Sequence, residues 1–129
     1  MNAISIKSVL SIHDKILMRY GGLAGFSQGG EGGLQSALQR VENHMLYNQV
    51  NNVFEIAALY GVALARGHIF NDGNKRTALA CTLLYLDQCG ILIPQIPDLE
   101  QAVVDIATGA KYYLWFALFL AALSQTEEE

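Results

Sequence analysis

Within residues 68–76 the chain gathers His68, Asp72, Gly73, Asn74, Lys75 and Arg76, set in the stretch Arg66-Gly-His-Ile-Phe-Asn-Asp-Gly-Asn-Lys-Arg-Thr-Ala-Leu79. Histidine, as a residue type, titrates near neutrality and can accept a hydroxyl proton. A carboxylate such as Asp72 is a hard oxygen ligand of the kind Mg²⁺ takes alongside phosphates. Gly67 and the Asn71-Asp72-Gly73 turn break a helix, whereas the run from Asn74 onward forms one, so the cluster belongs on a loop feeding a helix N-terminus. The N–H groups and dipole there attract anions. Lys75 and Arg76 in that first turn oppose the dipole by up to about 1 kcal/mol unless an anion is bound, and a phosphate chain removes the conflict. These residues point to group transfer from a magnesium nucleotide to a hydroxyl, with His68 as base, Asp72 as metal ligand, and Gly73, Asn74, Lys75 and Arg76 as phosphate cradle.

The elements around this loop read as helices with little else, so the expected fold class is all-α. Ile6 to Tyr20 is amphipathic and stops at Gly21-Gly22. A loop rich in glycine (Gly25, Gly29, Gly30, Gly32, Gly33) leads to a helix from about Leu34 to Tyr47. Val53 to Arg66 and Asn74 to Gln88 are apolar on most faces and belong in the middle of a bundle. They are expected to run antiparallel and to fix the loop from behind. Pro94 and Pro97 interrupt the following segment, where Leu92 and Ile93 could form a brief strand, and Asp98 is expected to cap a short helix to Thr108.

The stretch His68-Ile-Phe70-Asn-Asp72-Gly73-Asn74-Lys75-Arg76 resembles the core motif of the Fic/Doc superfamily, written His-Pro-Phe-x-Asp/Glu-Gly-Asn-Gly-Arg-x-x-Arg. Its match is to the Doc branch, the death-on-curing toxins of toxin–antitoxin pairs. Arg19-Tyr20-Gly21-Gly22-Leu23, Leu34-Gln-Ser-Ala-Leu38 and Ala107-Thr108-Gly109 extend the resemblance over most of residues 1 to 110. Three departures from the Fic pattern bear on the chemistry: Ile69 replaces proline, Lys75 the second glycine and Leu79 the last arginine. In Fic proteins that glycine leaves room for the α-phosphate, and the last arginine holds the phosphate chain during AMP transfer. Doc toxins carry the lysine and bind ATP turned around, with the γ-phosphate facing the target hydroxyl.

The resemblance therefore implies an ATP- and Mg²⁺-dependent protein kinase with His68, Asp72 and Lys75 as catalytic residues. It implies a threonine of elongation factor Tu as target, inhibition of translation, and a cognate Phd-like antitoxin as partner. Arg66 sits where Doc proteins often carry an arginine, which implies a phosphate contact. AMP transfer and an inactive antitoxin-binding module stand as alternatives. Phe70 reads as a buried anchor for the loop. Ser27-x-x-x-Glu31-Gly32 fits the inhibitory motif of Fic proteins, but that motif works from a helix and this copy lies among glycines, so inhibition is left to the antitoxin.

At 129 residues the chain is one domain, 1–129, with 52% apolar and 16% charged residues. Three of the charges in the formal −4 are the acidic tail Glu127, Glu128 and Glu129, leaving −1, a balance that gives no basis for direct nucleic-acid binding. Cys81 and Cys89 lie eight apart in one helix, about 12 Å along its axis, too far to bridge. With no basic start followed by an apolar run, a cytoplasmic protein is expected. His13 and His44 have no metal-ligand spacing to a second ligand and read as structural or exposed. No lysine follows a Gly-x-x-x-x-Gly, which excludes a P-loop. Residues 112–123, Tyr-Tyr-Leu-Trp-Phe-Ala-Leu-Phe-Leu-Ala-Ala-Leu, are too short to span a membrane, which takes about 20 residues. Such a helix has no polar face, so its apolar surface must be covered by the bundle, by a partner, or by a second copy in a homo-oligomer.

Overall fold

The computed structural model describes residues 3–124, and the acidic tail at 127–129 lies outside them. Six helices follow one another: α1 (Ile6–Tyr20), α2 (Gly30–Asn48), α3 (Val53–Arg66), α4 (Asn74–Gln88), α5 (Asp98–Thr108) and α6 (Tyr113–Leu123). No strand occurs among the described residues, so the expected all-α class holds. The strand expected at Leu92–Ile93 is reduced to a single bridge residue, Leu92.

Helix α3 is the centre, packing against α2, α4, α5 and α6. Ile56, Ala57, Ala58, Leu59, Tyr60, Gly61, Leu64 and Ala65 are all buried, which occupies every face of the helix. Its N-terminus is set by Asn52, whose side chain accepts from the N–H groups of Phe54 and Glu55, a cap worth about 1 kcal/mol. Gly61 explains how closely the neighbours approach. A Cβ there would stand 2.7 Å from Thr82 Oγ1 on α4 and 2.9 Å from Phe116 Cε2 on α6. The extensive α3–α4 contact across the 67–73 connection makes the pair an αα-hairpin with the motif loop at its tip.

Two expectations are corrected. Helix α2 begins at Gly30, not Leu34, so Gly30, Gly32 and Gly33 are helical and Glu31 lies in its first turn. Glycine is a poor helix former by about 1 kcal/mol, but burial of Leu34, Ala37 and Val41 on one face carries the helix. Asp98 makes no capping hydrogen bond; Pro97 occupies the N-cap and Asp98 is the first helical residue. Helix α6 buries Phe116, Ala117 and Leu120 against the bundle and leaves Leu114 and Leu118 exposed. The bundle thus covers one face of the apolar segment.

Candidate active site

The motif loop leaves α3 through Gly67, where a Cβ would meet the Ala63 carbonyl oxygen at 2.8 Å. His68 follows with φ 48°, a left-handed conformation that a histidine adopts only when its surroundings impose it. Ile69 and Phe70 are buried, whereas His68, Asn71 and Asp72 are exposed. The pattern presses two adjacent side chains into the bundle and presents the imidazole and the carboxylate to solvent. Gly73, at φ 82°, is the N-cap of α4, and no side chain caps that helix.

Hydrogen bonds from the distant segment 21–29 hold the loop. Phe26 and Phe70 form an antiparallel bridge, in which Ser27 N–H donates to Ile69 O (2.8 Å) and Asn71 N–H to Gly25 O (3.0 Å). Ser27 Oγ donates to the carbonyl of His68, and Asn71 Nδ2 donates to Ala24 O at 3.0 Å. Asp72 Oδ2 accepts the Leu23 N–H at 2.6 Å. Gly22 is required at this crossing, because a Cβ there would reach Asp72 Cβ at 3.0 Å. Phe70 is the anchor expected from the sequence, 4% exposed and stacked between Phe26 and His13.

The cations lie around the uncapped end of α4. Lys75 and Arg76 are exposed in its first turn. Arg76 lies 4.0 Å over the Tyr20 ring, so its guanidinium is seated on an aromatic face rather than loose in solvent. Arg66 is exposed at the end of α3, and its guanidinium reaches Gly109, where a Cβ would lie 3.0 Å from Nη2. A cleft of about 210 Å³ runs between α4 and α5, lined by Lys75, Arg76, Leu79, Glu100, Val103 and Val104. Asn74 departs from the cradle expected of it. Its Oδ1 accepts the Phe70 N–H (3.0 Å) and its Nδ2 donates to Phe70 O (2.9 Å), so its amide closes the loop on itself.

The sequence reading left the contacts of three residues with the motif unassigned. His13, read as structural or exposed, is buried under the loop. Tyr20 seats Arg76, and Leu23 holds Asp72. Their signal was faint: His13, Ile16, Leu17 and Tyr20 share one face of α1 by helical spacing. Ser27 is engaged with His68 and Ile69, although Glu31 and Gly32 are helical after all. His44, the third histidine, bonds Tyr113 Oη at 3.2 Å. Burial pushes the Cys81 thiol up to about 12, which removes it as a nucleophile, and the two cysteines are not bridged.

The αα-hairpin of this chain thus carries a histidine and a carboxylate at its tip and is tied to the segment 21–29 by the Phe26–Phe70 bridge. Residues 3–86 match the Fic/DOC family, and the chain belongs to it. Among its relatives is the protein kinase doc of Escherichia phage P1, 42% identical over 109 residues, which span 84% of this chain and 85% of that protein.

Proposed function

We propose that the chain is a Doc-type toxin that transfers the γ-phosphoryl group of Mg·ATP to a protein hydroxyl. The observation that carries this reading is the uncapped N-terminus of α4, with Lys75 and Arg76 exposed in its first turn, beside exposed His68 and Asp72 on the same loop. First-turn N–H groups and two cations form a site for a phosphate chain. His68 accepts the proton of the target hydroxyl as its oxygen attacks the γ-phosphorus and the bond to ADP breaks. Lys75 and Arg76 hold the phosphates through that step, and Arg66 adds a third cation from the end of α3. Asp72 has one oxygen held by Leu23 and an exposed carboxylate otherwise, a donor that fits a magnesium ion arriving on the phosphates. Such an ion, when bound, neutralises phosphate charge.

The target we favour is a threonine of elongation factor Tu, with arrest of translation in the cytoplasm as the consequence and a Phd-like antitoxin as the restraint. The relative's kinase name and its coverage of most of the chain support phosphoryl transfer over AMP transfer. Leu79 on the cleft wall, where AMP-transferring relatives carry an arginine, supports it too. If a homo-oligomer forms through residues 112–123, the exposed Leu114 and Leu118 are the surface left for it. The test is incubation with elongation factor Tu and ATP labelled at the α- or the γ-position. Label should come from γ, and Lys75→Gly should suppress transfer by removing a charge-assisted contact of about 1.5–3 kcal/mol. Label from α alone would establish AMP transfer instead, and label from neither would favour an inactive antitoxin-binding module.

A further inference from the structure

His13 stands in helix α1, 59 residues before the carboxylate of the motif, and makes three contacts with the motif loop. Its Nε2 lies 2.8 Å from the backbone oxygen of Asp72. Its ring stacks on Phe70 with centroids 3.6 Å apart and planes within 10°. It also lies directly beneath Gly73, where a Cβ would stand 3.5 Å from both Cδ2 and Nε2. At 4% exposure the imidazole is sealed from solvent. A carbonyl oxygen only accepts, so Nε2 carries a hydrogen and donates it. That bond survives whether the ring is neutral or protonated, which makes it a permanent tie rather than a switch.

The geometry points to His13 as a positioning residue that sets the direction of the Asp72 carboxylate. Asp72 is otherwise held only through its side chain, by Leu23 N–H on Oδ2. Asn71, tied to Gly25 and Ala24, holds the chain before Asp72; the peptide after it is the one that His13 holds, and without that bond the free carboxylate oxygen would move as this peptide tilts. The His13 bond fixes the peptide plane between Asp72 and Gly73, and the ring stack prevents Phe70 from rolling. Two ties from two segments, one on the carbonyl and one on the carboxylate, leave the side chain with one aim. Gly73 is the N-cap of α4, so the same contact fixes the carboxylate relative to the helix end where the phosphates sit. This rests on the proposed role of Asp72 as magnesium ligand, and it adds that the ligand's orientation is supplied by α1.

The experiment uses the full chain and three substitutions. His13→Phe keeps a flat ring for Phe70 and removes the donor. His13→Gln removes the ring and keeps a donor of similar reach. Asp72→Asn removes the ligand itself. Phosphoryl transfer to elongation factor Tu is followed as Mg²⁺ is varied, with circular dichroism confirming that each variant is folded. For His13→Phe we expect the Mg²⁺ concentration at half-maximal rate to rise at least fivefold, kcat to fall tenfold or more, and KM for the protein target to hold. His13→Gln should recover most of the Mg²⁺ response. In the Asp72→Asn background, His13→Phe should add less than a twofold further loss, because both act through one ligand.

A His13→Phe protein that is folded with the wild-type Mg²⁺ response overturns the inference, as does a loss that adds fully to that of Asp72→Asn. Label from the α-position of ATP would sink the kinase reading alone, since the Mg²⁺ response can be measured for either transferred group. If the wild type transfers neither, Mn²⁺·ATP binding measured by electron paramagnetic resonance takes the place of rate. Weaker Mn²⁺ binding in His13→Phe then supports the inference, and unchanged binding refutes it.

Discussion

Helix α6 carries no charged residue from Tyr113 to Leu123, yet it buries only Phe116, Ala117 and Leu120 and adds none of the expected site residues. Helix α1 is mixed in character and buries just Val9 and His13, but one face of it lies against the motif. His13 and Ile16 come up under Gly73, Leu17 approaches Gly22, and Tyr20 lies under Arg76. The apolar helix supplies bulk to the bundle, and the polar one supplies direction to the chemistry. Hydropathy tells where a helix will be covered. It does not tell what the helix will arrange, and the informative residue in α1 is the buried polar one.

The comparison can be broken by separating activity from stability at each end. The largest expected effect is at the loop that α1 supports. His68→Gly should lower the transfer rate about 10²–10⁴-fold by removing the base. Stability should hold, because relief of a left-handed histidine, about 1–2 kcal/mol, offsets the freedom glycine adds to the unfolded chain, about 0.5–1 kcal/mol. Parallel rate assays and urea melts check this, and a large fall in stability would mean that His68 is a structural residue. Phe116→Ala in α6 should behave oppositely. Phe116 is fully buried, so the change should cost about 3–5 kcal/mol of stability while the folded fraction keeps its rate per molecule. A rate loss beyond the folded fraction would show that α6 reaches the site.

A smaller effect is expected at Thr77 on α4. Its Oγ1 is buried with no hydrogen-bond partner among the described residues, a condition that costs about 1–3 kcal/mol. Thr77→Val keeps the shape and should raise the urea midpoint, and a lower midpoint would reveal a partner for that hydroxyl. The smallest effect belongs to the outer face of α6. Leu118 is 72% exposed, so Leu118→Glu should change stability by no more than about 0.5 kcal/mol. Sedimentation of the wild type and this variant decides what covers the ridge. Association lost in Leu118→Glu supports a homo-oligomer, and two monomeric proteins discard it.

Where local pattern decides structure, the sequence was sufficient. The bounds of α1, α3 and α4 were legible because glycine pairs, apolar faces and the Asn71-Asp72-Gly73 turn mark them directly. The start of α2 was not. Its glycines carry a local preference that burial of Leu34, Ala37 and Val41 overrides, and burial is a tertiary quantity. The same division holds at the site. His68, Asp72, Lys75 and Arg76 were singled out by type and spacing, and their places on a loop and a helix end follow from the local turn signals. Asn74 was placed in the phosphate cradle with its neighbours, whereas its side-chain amide makes two hydrogen bonds to the Phe70 backbone. The contacts of His13, Tyr20 and Leu23 were not legible, although Tyr20 and Leu23 lie in a segment that carries the resemblance, because what they touch lies about 50–60 residues further along the chain. No periodicity encodes a contact of that range.

The segment that bridges Phe26 to Phe70 also sets an order of assembly. The hydrogen bonds and ring contacts that reach the motif loop from His13, Leu23, Ala24, Gly25, Ser27 and Phe26 come from residues synthesised well before the motif itself. The motif loop is the later of the two partners to be synthesised, so these ties can close only once it has emerged. A chain begun after residue 29 would contain the whole motif from Arg66 to Leu79 and lose all of these ties, keeping the Asn74–Phe70 closure within the loop.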